Sequence, residues 1–425
     1  MTLKQLKQFA LFAILFVPFL GMAQGQTSTP YSFFGIGDIN EQGNIRAFGM
    51  GGTGLAVRSN QYIYFDNPAS YTGIDSLSFV AGAGAQSTMG SYRTNEQSSN
   101  VGLTTVNHLS FAFPITSWWK SSIALIPFSN IGYEVREDIT TDAGFGTQNV
   151  YSGDGGLDRI NWGNAIKITK NFSVGINSSY YFGRVEHMQT VLFPDSVNIY
   201  NSRYSDRSLL SGFEFTLGTQ LFIPTGENST FGIAATYTPT TTLKIKTDYL
   251  AITYFGDVGT ETSIDTVYYG IGMESKATLP YAYGIGLSWE KKNQLLMAFD
   301  FKFDNWQSFS YRNQTTNLSN KIKASFGIEF IPTSNNLSSY LKLIHYRFGA
   351  RYNKMGLQFN NNTLEEYAIS IGFGLPLRKS STVVNLGMEI GQNGTIENNL
   401  IQERFFKIAL GISIREKWFR KGKYF

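Results

Sequence analysis

Cysteine is absent from the sequence, which excludes a disulfide framework, thiol catalysis, cysteine-ligated metals and a lipid-anchored N-terminus. Histidine is nearly absent: His108, His187 and His345 are scattered, without the spacing of a metal site. No G-x-S-x-G pattern accompanies them, so no catalytic set, metal site or cofactor is predicted. Charge is scarce too, with Asp, Glu, Lys and Arg at 16% where about 25% is usual. The 35 basic residues fall to 33 against 31 acidic ones once Lys4 and Lys7 are set aside with the leader described next. A balance this close to neutral carries no nucleic-acid footprint. Beyond residue 23 no apolar run approaches the ~20 residues of a membrane helix, so a helical membrane protein is excluded.

What is present points to another kind of membrane protein. Lys4 and Lys7, the apolar run Phe9 to Leu20 and the small-x-small site Gly21-Met22-Ala23 have the order of a secretory signal. Residues 1–23 are therefore expected to be removed. Aromatics reach 15%, and 43 glycines stand against 11 prolines. From Ser76 onward apolar and small or polar residues alternate with period two in about fourteen segments, most near the ~10 residues of a tilted membrane strand. The clearest is the last, where Phe406, Ile408, Leu410, Ile412 and Ile414 share one face and Lys407, Ala409, Gly411 and Ser413 the other. Connections after even-numbered segments are short. Those after odd-numbered segments, such as 184–208 and 247–276, read as long hydrophilic loops. That sorting favours an all-β, transmembrane antiparallel barrel of about fourteen strands over a soluble sandwich. The barrel is expected over 76–414, with a periplasmic tail over 415–425.

The stretch before the barrel, 24–75, reads as a segment filling its lumen. Gly49, Gly51 and Gly54 match G-x-G-x-x-G with Asp75 downstream, but polar residues precede them and no βαβ unit follows. Positive φ angles and close backbone packing explain them better. Phe33, Phe34, Phe48, Met50, Tyr62 and Phe65 supply apolar surface, and the stretch closes on Asn67-Pro68-Ala69-Ser70; Arg46, Arg58, Asp66 and Asn67 can satisfy polar wall groups. Such a plug either moves when a ligand binds or only seals the pore. Pro127 falls inside the third segment, where its missing N–H breaks a ladder bond; with Phe128, Ser129, Asn130 and Gly132 it marks an ordinary bulge or an opening. Strand parity turns Glu214, Asp300, Lys302, Arg347, Arg351, Glu389 and Lys407 into the lumen. Both signs occur among them, so they can form a cross-lumen ion-pair network, with substrate steering as the alternative; the one-sign bias of a porin tuned for one ion class does not appear.

Several stretches carry a family resemblance. They are AFGMGGTG with DNPAS, YSGDGGLDRINWG with TKNFSVGINSSYYFG, LPYAYGIGLSWE followed by Asp300 and Trp306, and NLGMEIGQNGT before the last strand. Together these resemble the FadL-type outer-membrane hydrophobe transporters, in their Bacteroidetes branch. The resemblance implies passive uptake of a hydrophobic small molecule, long-chain fatty acid-like, through a plug that moves and a kinked third strand that opens the wall sideways. It also implies outer-membrane lipid as surroundings and the barrel-assembly machinery as a partner during biogenesis. PorV-like subunits of the type IX secretion system share the glycine segment and the NPA-type motif, so a partner-binding barrel is the alternative.

Overall fold

Period-two alternation needs two different solvents, and the fold supplies lipid outside and a plugged lumen inside. The structure, a computed structural model, describes residues 29–417 except 41–42, 96–97, 141–145, 195–198, 257–259, 317, 334, 336–337, 360–361, 379 and 398–399. The expected signal peptide and the last eight residues of the tail, 418–425, lie outside the described residues.

Fourteen antiparallel strands close into one barrel. They are β1 (Ser78–Arg93), β2 (Ser98–Pro114), β3 (Trp119–Thr140), β4 (Gly146–Lys167), β5 (Phe172–Leu192), β6 (Asn201–Pro224), then β7 in two pieces (Ser229–Thr238 and Thr241–Phe255). Next come β8, also in two pieces (Thr262–Leu279 and Ala282–Lys291), β9 (Leu295–Asp304), β10 (Lys321–Phe330) and β11 (His345–Phe359). The chain ends with β12 (Asn362–Pro376), β13 (Val383–Asn393) and β14 (Gln402–Lys417). The seam joins β14 to β1, from Gln402 opposite Arg93 to Lys417 opposite Ser78. The breaks in β7 and β8 fall at Pro239 and Pro280, which lack the N–H a ladder requires. They sit at one level, with Thr238 opposite Ala282 and Thr241 opposite Leu279.

The wall is uneven in height. Strands β3 to β6 run 21–24 residues, whereas β9 and β10 have 10 each and β13 has 11. Two expectations are corrected by this. Residues 184–208 and 247–276 are largely not loops but upward extensions of β5 to β8, paired far beyond the lipid. The last strand likewise runs on to Lys417 into what reads as tail. On the outer face an exposed chain of ion pairs marks where lipid stops: Asp154–Arg184 at 3.3 Å, Arg207–Glu186 at 3.2 Å and Lys246–Glu274 at 3.8 Å. Such pairs hold little energy in water, but charges of this kind cannot sit in hydrocarbon. Below them Trp162, Phe213, Phe215 and Leu217 face outward, exposed to the bilayer.

Candidate functional site

The segment 44–74 fills the lumen almost without regular structure, so its backbone groups must find partners in the wall. A single turn of helix, Ile45–Phe48, starts at Asn44, whose side chain accepts from the Ala47 N–H at 2.9 Å. Asn67 caps the 3-10 turn Pro68–Gly73 by accepting from Ala69, and donates to the carbonyls of Leu55 (2.8 Å) and Thr219 (3.1 Å). Between these turns the wall does the work. Asp300 accepts from the N–H groups of Gly54 (2.7 Å) and Leu55 (3.0 Å). Gln220 donates to the carbonyls of Leu55 and Val57, Ser288 to Ala56, and Asn177 to Phe65. The Gly51 N–H reaches Ser370 Oγ at 2.9 Å.

Such contact requires the plug backbone to lie directly on the sheet, and small residues on the inner face permit it. Gly51, at φ +70°, sits so close to the wall that a Cβ on Gly349 would fall 2.0 Å from its nitrogen. Gly49 meets Gly372 in the same way, and Gly218 meets Asn67 and Pro68. The first and second fingerprint glycines thus serve packing, as the sequence suggests. Asp75 pairs with Arg415 at 3.2 Å.

Electrostatics pins the plug at its centre. Glu329, buried on β10, takes Arg46 of the plug at 2.6 Å and Arg347 of β11 at 2.6 Å. Arg347 also donates to Asn385 Oδ1 at 2.8 Å and to the Tyr62 hydroxyl at 3.2 Å. Burial acts to raise the Asp66 carboxyl, yet Lys302, 2.7 Å away, holds it below its usual range. Burial lowers the Arg58 guanidinium to about 10; it donates to Ser173 Oγ at 2.7 Å.

The charges assigned to the lumen by parity do point inward, but they form separate clusters rather than one network. Arg347 belongs to the Glu329 cluster. Arg351 binds Glu366 (2.9 Å) and Glu389 (2.5 Å), with Lys407 3.9 Å from Glu389. Glu214 accepts from the Tyr181 hydroxyl at 2.7 Å. Asp300 and Lys302 are turned to the plug. Sequence reasoning missed Glu329 and Glu366, although Lys321, Lys323, Ser325, Gly327 and Glu329 share one face of β10 and the same parity reading would have found the former. His187 lies in β5 rather than in a loop, 2.8 Å from the Tyr133 hydroxyl.

Of the apolar plug residues, Phe48, Met50, Tyr62 and Phe65 are buried, with Phe48 and Met50 wholly enclosed. Phe33 and Phe34 are not: they are 46% and 40% exposed, on a separate upper segment. That segment, 29–40, lies along the barrel wall. Asp38 and Ile39 pair with Asn130 and Ser129 of β3, the Asn40 N–H donates to the Phe128 carbonyl at 2.8 Å, and Ser32 bonds Gly132. It is held there because β3 has lost its neighbour. Pairing between β2 and β3 covers only Leu109–Pro114 against Lys120–Leu125. Above that level, among the described residues, no strand pairing joins 98–108 to 126–140. Both strands are bulged at this height: β2 at Asn107, where the register against β1 shifts, and β3 between Pro127 and Ser129. Pro127 thus sits in a bulge, just above the level where pairing between β2 and β3 ends. Ile131 is buried at the edge of this gap in pairing, whereas Val106 is 51% exposed.

Two cavities adjoin the segment 29–40. One of about 310 Å³ is apolar, lined by Phe34, Ile36, Ile39, Trp306, Phe309, Leu318, Met355 and Leu357. The other, about 120 Å³, is polar and reaches Val101, Leu103 and Thr105 of β2 and Asn130 of β3.

Among solved structures the chain is similar to the Pseudomonas putida toluene transporter TodX, at 14% identity and a TM-score of 0.58, covering 91% of this chain and 100% of that one. It is also similar to a Pseudomonas aeruginosa FadL homologue (11%, TM-score 0.57, 91% and 100%) and to the Ralstonia pickettii toluene transporter TbuX (12%, TM-score 0.56, 89% and 99%). At these identities the likeness is one of fold, and it bears out the FadL-type barrel fold. No curated protein matches. The BamG family model matches residues 5–425.

Proposed function

The chain belongs to the BamG family, and we propose that within it this barrel is an outer-membrane channel for passive uptake of a hydrophobic small molecule. One observation carries the reading. The segment that lines the apolar cavity, residues 34–39, is the same segment that hydrogen-bonds to the open edge of β3 at the gap. A ligand of about the size that 310 Å³ admits, near the lower end of small-molecule sites, presses on the strip that closes the wall. Displacing that strip connects the cavity to the gap, and a hydrophobe leaves sideways into lipid rather than through the pinned plug. Phe34, Phe128, Ser129, Asn130 and Gly132 are the residues at this gate. Phe48, Met50, Tyr62, Phe65, Asn67 and Pro68 belong to the seal.

The test is a reversible lock. Ile39 lies opposite Ser129, so I39C with S129C can be bridged by oxidation. Uptake of toluene or a long-chain fatty acid by cells should fall by roughly tenfold when oxidised and return on reduction. Equal uptake in both states rejects the gate.

A second reading, a PorV-like barrel that binds a protein of the secretion machinery, is favoured by a different observation. The upper piece of β8 is exposed on both faces, carrying Val267, Tyr269 and Ile271 at 63–67%. Apart from Thr278 opposite Ser310, its outer edge makes no strand pairing among the described residues. Long open edges with apolar side chains accept a partner's strand. Under this reading Y269K with I271K releases a stoichiometric secretion-machinery subunit while uptake is unchanged; under the channel reading nothing is released.

A further inference from the structure

We propose that Lys244 and Lys276 form a phosphate clamp on the outside of the barrel, which holds a phosphorylated glycolipid of the outer leaflet, of the lipid A type. The clamp requires only an outer-membrane barrel and is independent of what passes through it.

The two lysines come from a regular stretch of ladder, 241–247 against 273–279. Its inward set is sealed: Thr241, Leu243, Ile245, Thr247, Ala277 and Leu279 are buried. The alternate residues therefore face outward, and the register stacks them in rows, with Thr242 opposite Thr278, Lys244 opposite Lys276 and Lys246 opposite Glu274. Residues directly opposite have Cβ atoms about 4.5–5.5 Å apart, and like charges so placed repel. The other cations of this belt are paired with acids: Arg184 with Asp154, Arg207 with Glu186 and Lys246 with Glu274. Lys244 and Lys276 are exposed and make no ion pair among the described residues.

Height decides which anion is within reach. Below the threonine row and the break at Pro239 and Pro280, the rings of Tyr237 and Tyr283 stack at 5.0 Å on the outer face. Ile233 and Ile285 follow, exposed to lipid. Outward aromatics of this kind mark the interface of a membrane barrel, so the lysine row just above stands at head-group level. On the neighbouring strand Ser211 lies opposite Lys244, between outward Leu209 and Phe213. The lysines thus rise from the upper border of the apolar surface, where long cationic side chains reach for head groups. A phosphomonoester carries about −1.5 to −2 charges and offsets both ammoniums, whereas the diester of a phospholipid carries one. The hydroxyls of Thr242 and Thr278 in the next row can donate to and accept from the sugar that bears the phosphate.

The experiment uses the full purified barrel in a non-ionic detergent. It is incubated in turn with monophosphoryl lipid A, the same lipid after dephosphorylation, and phosphatidylglycerol, and bound lipid is counted by native mass spectrometry. The expected result is monophosphoryl lipid A retained about twentyfold over its dephosphorylated form, since each lysine at an anionic head group is worth about fivefold. K244Q with K276Q removes that preference. K170Q with K292Q, which takes the same charge from exposed turns at the opposite rim, keeps it. Equal retention of the phosphorylated and dephosphorylated lipids, or loss of the preference in both double variants, overturns the clamp. Phosphatidylglycerol retained as well as lipid A, or lipid A displaced by millimolar inorganic phosphate, overturns the assignment to a glycolipid.

Discussion

Glu329→Ala should unseat the plug and give the largest loss of stability of any single substitution in the lumen. The carboxylate is 4% exposed and sits between two guanidiniums, accepting from Arg46 Nε (3.0 Å), Arg46 Nη2 (2.6 Å) and Arg347 Nε (2.6 Å). Removing one partner of a buried pair costs about 3–5 kcal/mol, because the other charge stays buried without compensation. Here two cations are stranded, one on the plug and one on the wall, and they repel each other. The protein can lower that cost only by moving Arg46 toward water, which moves the plug. Thermal unfolding of the purified barrel should therefore shift strongly downward, and cells should become sensitive to antibiotics too large for an intact outer membrane. The triple change R46M, E329L and R347M removes every charge at once and should be far milder, since apolar replacement of buried ion clusters is often close to neutral. If E329A is as stable as the parent, or the triple change is as damaging as the single one, the plug is held by something other than this cluster.

Gly349→Ala should have the second-largest effect, by sterics alone. An added Cβ would lie 2.0 Å from the Gly51 nitrogen and 2.2 Å from the Met50 carbonyl carbon. Both are backbone atoms and neither can rotate away. Gly51 cannot retreat easily, because its N–H is bonded to Ser370 and its φ of +70° belongs to the left-handed region. Overpacking usually costs about 1–3 kcal/mol, and a clash of backbone with sheet belongs at the top of that range or beyond. Gly102→Ala is the matched control on the same kind of strand, because a Cβ there meets nothing within 4 Å. In a gel that separates folded from heat-unfolded barrel, G349A should melt well below the parent and G102A should run with it. Coincident melting of all three would show that the plug yields more freely than its contacts suggest.

These contrasts bear on what was legible in the sequence. Strand number and the inward set of charges follow from period two, because lipid on one side and a polar lumen on the other enforce alternation. The tall wall was misread as loops for the same reason. Above the ion-pair belt both faces of a strand meet water, and Thr266, Val267, Tyr268 and Tyr269 are exposed alike, so no alternation survives to be counted. The pairing of inward charges was out of reach: Glu329 and Arg46 are 283 residues apart, and nothing local distinguishes a plug arginine bound to β10 from one bound to β12. Pro127 announced a disturbed strand. That β2 and β3 separate above Leu109 and Leu125 is a property of neither strand alone, so a single chain of letters does not carry it.

The seam between β1 and β14 also sets an order of events in time. It pairs residues about as far apart as the barrel allows, Ser78 with Lys417, and contacts of such separation form late. By then the chain preceding β1 must already occupy the middle, since its backbone lies against β6, β11 and β12 through Gly218, Gly349 and Gly372, with no clearance for threading afterwards. The strands are wound on a mandrel that the same chain supplies first. A barrel made without residues 44–74 would have to close around water, and supplying that segment later as a separate peptide would not restore the sealed form.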